Sequence, residues 1–269
     1  MITIRIKISV KMAAIKIKSE DELKLMRASC AVAAEILEEI GAFIQPGIRT
    51  LEVDEFAAEQ IKSRGGKSAF PRKYPRHVCI SVNDEVVHGL AGGRELHFGD
   101  IVAVDVGVKY NGFIGDNART FAVGGCGVLA QRLLDVTEQA LYLGIAAARP
   151  ENRVTDISRA VQEFVEGNGF SVVREFVGHG VGRLMHEEPQ VPNFVGRKMN
   201  QRLQPGMTIA IEPMVNAGGP DVKILKDGWT VVTQDGSLSA HFEHTVLVTG
   251  GEPEILTWPE TKLSKLKVA

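Results

Sequence analysis

The sequence predicts an α/β (α+β) protein of two pseudo-symmetric halves, with antiparallel sheets around a central cleft and helices outside. Two observations predict this class: amphipathic helical segments precede strand-like runs, and that order occurs twice. The spacing of Val53, Ala57 and Ile61 recurs at Ile157, Val161 and Val165, 104 positions later by the numbering (157 − 53). Such self-similarity indicates an internal duplication. A cleft between two halves is a favoured binding site.

The first half opens with two helices. Ser19 and Glu22 form the sequence pattern of a capping box in front of an apolar stripe, and we expect Gly41 to end this helix. A second amphipathic helix is predicted to start near Thr50 and to end at Gly65 and Gly66.

Strand-like runs follow these helices, with the sequences HVCISV, EVVHGL, IVAVDVGVKY and FIGDNARTFAV. Between the last two, Asn111-Gly112 is typical of a tight hairpin turn. The second half has the same plan: a long helix over about 128–148, and a second helix from Thr155 or Asp156 to Gly167–Gly169. Its strand-like runs are FSVVREFVGHG, MTIAIEPMV, WTVVTQD and FEHTVLVT.

Length and composition fit a globular enzyme. The chain has 269 residues, of which 44% are hydrophobic and 24% charged, and we expect one catalytic domain over 18–257. The formal net charge of −2 gives no support for nucleic-acid binding. Three cysteines without a CxxC pair predict neither a disulfide framework nor a zinc finger, and favour a reducing, cytoplasmic location.

Both ends lie outside the expected domain. Residues 1–17 are interpreted as an N-terminal extension, either disordered or a strand, and residues 258–269 as a C-terminal tail. Lysines and arginines interrupt the apolar stretch MITIRIKISVKMAAIKI, so neither a signal peptide nor a membrane span is expected. Translation from Met1 and from Met12 both remain open.

Five metal-ligand-type side chains lie in or beside apolar runs. A bare charge in such a run is costly to bury, and no matching set of basic residues is present. Four carboxylates and one imidazole are a ligand set for one divalent first-row metal ion, or for two that share carboxylates. The five residues are Asp105, Asp116, His179, Glu212 and Glu243.

Several neighbouring residues have alternative interpretations. His88 and His186 are equally compatible with structural and acid–base roles. Glu187 and Glu188 are expected at the surface or behind the ligands. In HFEH, strand alternation places His241 on the same face as Glu243, and we prefer the carboxylate as the ligand.

Competing active-site signatures are missing from the sequence. It contains no GxSxG, no HExxH and no GxxxxGK[ST], and GHGVG lacks the spacing of a dinucleotide fingerprint.

From about Lys18 to Leu256, the sequence resembles the type I methionine aminopeptidases of the pita-bread fold. The resemblance rests on CISVNDEVVHGL, IVAVDVGVKYNGFIGDNARTF, GHGVGRLMHEEP, MTIAIEPM and DGWTVVTQDGSLSAHFEHTV. It implies that Asp116 and Glu243 bridge two metal ions, that Asp105 binds one, and that His179 with Glu212 binds the other. No zinc-binding segment precedes the first helix, so the bacterial or organellar type is expected.

The resemblance also implies a mechanism. Glu212 is expected to take a proton from the attacking water, His186 to hydrogen-bond the scissile carbonyl or its oxyanion, and His88 to contact the amide nitrogen. The free amine of the substrate would lie on the ion held by Asp105. Residues implied for the methionine pocket are Cys79, Trp229 and Phe176, with Tyr74 near the rim.

Two departures from the family pattern affect this pocket. The segment SAFPRKYP at Ser68–Pro75 is shorter and more basic than the glycine-rich loop of many bacterial members. Leu184-Met185 stands where an aromatic residue is frequent. Both departures bear on the shape of the pocket and leave the metal ligands in place.

The function expected from the resemblance is removal of the initiator methionine from nascent polypeptides whose second residue is small. Fe(II), Mn(II), Co(II) and Zn(II) all suit the ligand set. The rivals are an X-Pro aminopeptidase or prolidase, and a non-catalytic binding protein of the same fold. A monomer without membrane contact is expected. Contact with the ribosome through Arg197-Lys198 or Lys223 and Lys226 competes with a simpler interpretation as solvated loop charge.

Overall fold

The computed structural model describes residues 14–196 and 200–258. Met12, most of the expected N-terminal extension, Arg197-Lys198 and the expected tail after Trp258 lie outside the described residues. The helices α1–α4 span Glu20–Phe43, Thr50–Ser63, Val128–Ala146 and Val154–Gly167. The strands β1–β15 span Lys67–Ser68, Cys79–Val82, Glu85–Val87, Ile101–Tyr110, Phe113–Ala122, Ser171–Val172, Gly178–Gly180, Glu187–Val191, Thr208–Ile211, Met214–Asn216, Val222–Ile224, Val231–Thr233, Ser239–His241, Glu243–Leu247 and Glu254–Ile255.

The capping box predicted at the start of α1 is confirmed. The Glu22 N–H donates to Ser19 Oγ at 3.3 Å, and the Ser19 N–H donates to Glu22 Oε2 at 3.1 Å. The end predicted at Gly41 is wrong, because the helix continues to Phe43. Gly41 lies against the ring of Phe121, and a β-carbon there would collide with that ring. The glycine therefore serves packing of the helix on the sheet and does not end the helix.

The duplicated plan is visible in the helices. α2 and α4 each have 14 residues and start 104 positions apart (154 − 50). At the start of each helix, a carboxylate accepts the N–H of the N-cap arginine: Glu52 Oε2 from Arg49 at 2.9 Å, and Asp156 Oδ2 from Arg153 at 2.8 Å. The prediction of two similar helix pairs is thus confirmed.

One nine-stranded sheet crosses both halves. Its main path runs β1-β4-β5-β14-β9-β7-β8, with β2 paired to β4 and β15 paired to β14. Among the described residues, all strand pairings in this sheet are antiparallel. α1 packs on β4 and β5, while α3 contacts β9 and β14. Two buried apolar clusters separate the helices from the sheet, one in each half.

The hairpin between β4 and β5 follows the predicted turn. Asn111 and Gly112 have φ angles of 49° and 85°, and Tyr110 pairs with Phe113. Because both central residues have positive φ, the asparagine–glycine pair matches the twist of the two strands. This register places Asp116 opposite Gly107.

Two predicted strands of the second half are interrupted. The run FSVVREFVGHG forms only β6 and β7, which belong to different sheets. The run MTIAIEPMV is divided into β9 and β10 at Glu212-Pro213. Pro213 has no N–H to donate to a ladder, so the chain leaves one sheet there and enters another. The break leaves Glu212 at the end of β9.

Candidate metal centre

Five neighbouring strands of the large sheet bring the predicted ligands together. In the order of the sheet, β4, β5, β14, β9 and β7 each provide one residue, Glu212 coming directly after its strand. These residues are Asp105, Asp116, Glu243, Glu212 and His179.

The strand register puts the carboxylates on one face. Ala118 pairs with Asp105 on one side and with Glu243 on the other. Asp116 is two residues from Ala118, so its side chain lies on the same face. His244 pairs with Ile211, which places Glu212 beside Glu243 at the next position. The carboxylates therefore converge by backbone pairing alone.

The ligand atoms are close enough to share a cation. Single ligand atoms of Asp116, His179 and Glu243 all lie within 4.8 Å of one another. His179 Nε2 is 3.4 Å from Glu212 Oε1 and 3.8 Å from Asp116 Oδ2. Asp105 is outside the tightest group, on the strand beside Asp116.

Several oxygen atoms in this cluster are buried without a hydrogen-bond partner. They are Asp105 Oδ1, Asp116 Oδ1 and Glu243 Oε1. Buried polar atoms nearly always have a partner, and a carboxylate deprived of one pays a large desolvation cost. Bound cations would satisfy all three oxygens, so the observed donor set fits a divalent metal site.

The cluster is electrostatically unfavourable without a cation. Burial raises the pKa of Asp105 to about 7. The pKa of Asp116 is raised well above its usual value, first by burial and then by Asp105. Burial and neighbouring carboxylates do the same to Glu212 and Glu243. Opposite charge would reverse these shifts, because a nearby cation stabilises the ionised form.

His179 is held as a neutral ligand. Burial and His186 lower its pKa to about 3, so its contacts with carboxylates are not ion pairs at neutral pH. Its Nδ1 lies 3.0 Å from the Gly180 carbonyl oxygen, which can only accept, so Nδ1 carries the proton. Nε2 is then free to ligate a metal on the side of the carboxylates.

The two predicted acid–base histidines lie beside this cluster. The His186 ring makes an edge contact with His179 at 4.3 Å between centroids, and it is exposed to solvent. His88 has a φ of 59°, a left-handed conformation that is uncommon for a non-glycine residue. Burial and His186 lower the pKa of His88 to about 4, so it is neutral at physiological pH.

His241 belongs to the site and was not chosen from the sequence. It is buried, its Nε2 has no hydrogen-bond partner, and that atom is 3.7 Å from Glu212 Oε2. Burial lowers its pKa to about 3. Alternation in HFEH placed it on the face of Glu243, but nothing in the sequence indicates that Glu212, which follows a different strand, lies beside it.

Three of the four predicted pocket residues make aromatic contacts. Tyr74 makes an edge contact with Trp229 at 5.2 Å, and Phe176 makes one with His88 at 5.5 Å. Pairing of β12 with β3 brings Trp229 and His88 to neighbouring strand ends. Cys79, paired with Asp105 across β2 and β4, is buried, and the Tyr74 hydroxyl donates to the Gly89 carbonyl at 2.8 Å. Cys79 thus lies on the strand next to that of Asp105, while Tyr74, Phe176 and Trp229 lie in the segments between strands.

The two segments that depart from the family pattern, Ser68–Pro75 and Leu184-Met185, both lie near the candidate site. Phe70 contacts Tyr74 with ring centroids 5.3 Å apart. Met185 packs over Gly107 and Ala69, with its Sδ 3.2 Å from where a Gly107 β-carbon would lie. Leu184 is 58% exposed beside His186. Phe70 therefore lies beside the predicted pocket residue Tyr74, and Met185 lies over the residue that pairs with Asp116.

The sequence is similar to those of known metallopeptidases. The sequence pattern of metallopeptidase family M24 matches residues 24–250. The methionine aminopeptidase of Clostridium perfringens is 50% identical over 243 residues, covering 90% of this chain and 98% of that protein. Methionine aminopeptidase 1 of Bacillus subtilis is 47% identical over 242 residues, covering 89% and 98%.

Solved structures agree with the sequence comparison. The methionine aminopeptidase of Thermotoga maritima has a TM-score of 0.88 at 43% identity, covering 91% of this chain and 99% of that one. The prolidase of Pyrococcus furiosus has a TM-score of 0.73 at 23% identity, and this chain covers 65% of its length. The prolidase shares the fold and contains additional chain.

Proposed function

This chain belongs to metallopeptidase family M24, and within it to the type I methionine aminopeptidases of the pita-bread fold; on that premise we propose that it removes the N-terminal methionine from nascent polypeptides whose second residue is small. The observation that carries the proposal is the convergence of one neutral imidazole and four largely buried carboxylates, of which three have an oxygen without a hydrogen-bond partner. We place the catalytic domain at residues 18–257.

We propose that the five ligands hold two divalent cations. Asp116 and Glu243 are suited to bridging, because their neighbours in the sheet lie on both sides of them. Asp105 would bind one ion, and His179 with Glu212 the other, since His179 Nε2 and Glu212 Oε1 are 3.4 Å apart. Fe(II), Mn(II), Co(II) and Zn(II) all accept this donor set. When bound, the cations would polarise the scissile carbonyl and lower the pKa of an attacking water.

Residues at the edge of the centre would move the protons. The Glu212 side chain is 12% exposed, against 2% for Asp116, so it is reachable by a water in the cleft. It would accept the proton of the attacking water and return it to the leaving amine. Its position is fixed by Asn193, whose Nδ2 donates to the Glu212 carbonyl at 2.9 Å.

The two histidines would bind the scissile peptide group. His186, exposed next to His179, is positioned to donate a hydrogen bond to the carbonyl oxygen as negative charge develops on it. His88 is neutral, so it can contact the amide nitrogen without adding a charge beside the cations. His88 directly follows β3, and its ring packs edge-on against Phe176 with centroids 5.5 Å apart.

Methionine selectivity is assigned to the pocket bordered by Cys79, Tyr74, Phe176 and Trp229. These side chains are apolar or only weakly polar, as an unbranched thioether requires. Burial raises the pKa of Cys79 well above its usual value, so the thiol stays neutral and behaves as a small apolar group.

Release of amino acids from three peptides tests the proposal. Metal-free protein would be assayed anaerobically with Met-Ala-Ser, Leu-Ala-Ser and Ala-Pro-Ala, before and after addition of Fe(II), Mn(II) or Co(II). Release of methionine alone, dependent on metal, is expected. Cleavage of Ala-Pro-Ala would favour the X-Pro peptidases of the fold. No cleavage with any metal would leave a non-catalytic binding protein.

The setting of the enzyme is also a proposal. We propose a cytoplasmic monomer that acts on chains as they leave the ribosome. Cys30, Cys79 and Cys126 are unpaired, as in a reducing compartment. Within the described ranges, no helix has the length and apolar character of a membrane span. Lys223 on β11 and Lys226 in the turn that follows are both exposed, so they can meet a negatively charged surface.

A further inference from the structure

A buried ion pair lies behind the turn that carries His186. Lys18 Nζ donates to Glu187 Oε2 at 2.9 Å, and both side chains are only 4% exposed. Glu187 directly follows His186 at the start of β8, and residues 181–186 connect β7 to that strand. Glu187, for which the sequence left a surface position and a position behind the ligands open, therefore has a buried side chain and directly follows His186.

The same carboxylate holds the turn from inside. Glu187 Oε1 accepts the N–H groups of Arg183 at 3.0 Å and Leu184 at 3.3 Å. The backbone of Gly182 packs directly against the Glu187 carboxylate and the Lys18 side chain. A β-carbon on Gly182 would lie 2.8 Å from both carboxylate oxygens and from Lys18 Cε. The turn, the carboxylate and the ammonium group are packed as one unit.

Lys18 connects this unit to the rest of the protein. Its backbone N–H donates to the Gly206 carbonyl at 2.9 Å, and the next residue, Ser19, caps α1. Its Nζ also donates to the Lys16 carbonyl at 3.3 Å. Both ends of the Lys18 side chain are thus anchored.

We propose that Lys18 and Glu187 are positioning residues that hold the 182–187 turn so that His186 points at the scissile carbonyl. This inference rests on the role given to His186 in the proposed function. A buried ion pair is an inefficient source of stability, because the desolvation of two charges offsets most of their attraction. Rigid support of a catalytic side chain is what such a pair can provide.

Three variants separate the parts of the unit. Glu187→Ala removes the turn contacts and is expected to lower kcat about 10–100-fold, with KM and metal content within about twofold of wild type. The double variant Lys18→Met/Glu187→Gln removes both charges and keeps an oxygen for the two N–H groups, so it is expected to recover most of kcat. Lys16→Met is the matched control, because Lys16 Nζ is 3.9 Å from the same carboxylate and half exposed. It should leave kcat unchanged.

A double-mutant cycle with His186→Ala decides whether Glu187 acts through that histidine. The kcat loss of Glu187→Ala should shrink to less than about twofold in the His186→Ala background. A crystal structure of Glu187→Ala without metal should show the His186 ring displaced. An equal loss in both backgrounds, or no recovery in the charge-free double variant, would overturn the inference and leave the proposed function intact. Full kcat in His186→Ala alone would refute the role of His186, and with it both proposals for this residue.

Discussion

Replacing Asp105 with asparagine should stabilise the metal-free protein at pH 7, although it removes a ligand. Burial raises the pKa of Asp105 from the ordinary 3.8 to about 7. A carboxyl group with a raised folded-state pKa contributes most stability below its unfolded pKa, and loses that contribution as the pH rises through the folded value. Ionisation of Asp105 therefore costs the folded protein progressively more free energy between about pH 4 and pH 7.

The size of this cost follows from the two pKa values. A difference of about three corresponds to roughly 4 kcal/mol at pH 7 and to roughly 1 kcal/mol at pH 4.5. Asparagine has nearly the same shape and no charge, although its buried amide also needs partners. One kcal/mol moves the melting temperature of a protein of this size by about 2 °C. We expect Asp105→Asn to raise it by about 5–8 °C at pH 7 and by no more than about 2 °C at pH 4.5.

Scanning calorimetry of metal-free protein at both pH values measures this effect. His88 and His179, whose pKa values burial lowers, destabilise the protein in acid, but they do so in both variants and cancel in the difference. Asp54→Asn is the matched control: this buried carboxylate accepts the N–H groups of His77 at 2.7 Å and Val78 at 3.0 Å. Its replacement should lower the melting temperature. An Asp105→Asn protein that melts below wild type at pH 7, or by the same margin at both pH values, would refute the reasoning.

Three further predictions concern activity. Asp116→Asn and Glu243→Gln should each abolish turnover, because each removes a carboxylate that we propose to bridge two metal ions; near-wild-type activity in either metal-saturated variant would contradict the assigned ligands. His186→Ala should bind metal normally and lower kcat about 100-fold, as measured by metal analysis and steady-state kinetics; an unchanged kcat would remove His186 from the mechanism. Trp229→Ala should raise KM for Met-Ala-Ser about tenfold through lost apolar contact, and an unchanged KM would exclude Trp229 from the pocket.

Elements with a local signal were predictable from the sequence. The capping box of α1, the Asn111-Gly112 hairpin and the repeated helix pair all depend on residues close together in the chain. The candidate ligands could also be chosen one by one, because charges inside apolar runs need a partner; that they are metal ligands stays a prediction.

Features that depend on distant contacts were not predictable. Pairing of β14 with both β5 and β9 assembles the centre, and no periodicity specifies which strands become neighbours. The ion pair of Glu187 with Lys18 joins residues 169 positions apart, so sequence alone placed Glu187 at the surface or behind the ligands. His241 joins Glu212 only because the chain changes sheets at Pro213.

Anomalous diffraction from crystals loaded anaerobically with Mn(II) tests the central claim most directly. Two peaks are expected in the cleft, both within ligand distance of Asp116 and Glu243. One should lie beside Asp105, and the other beside His179 and Glu212. A single peak at full occupancy and saturating metal, or peaks away from these five side chains, would contradict a two-metal centre built by this sheet.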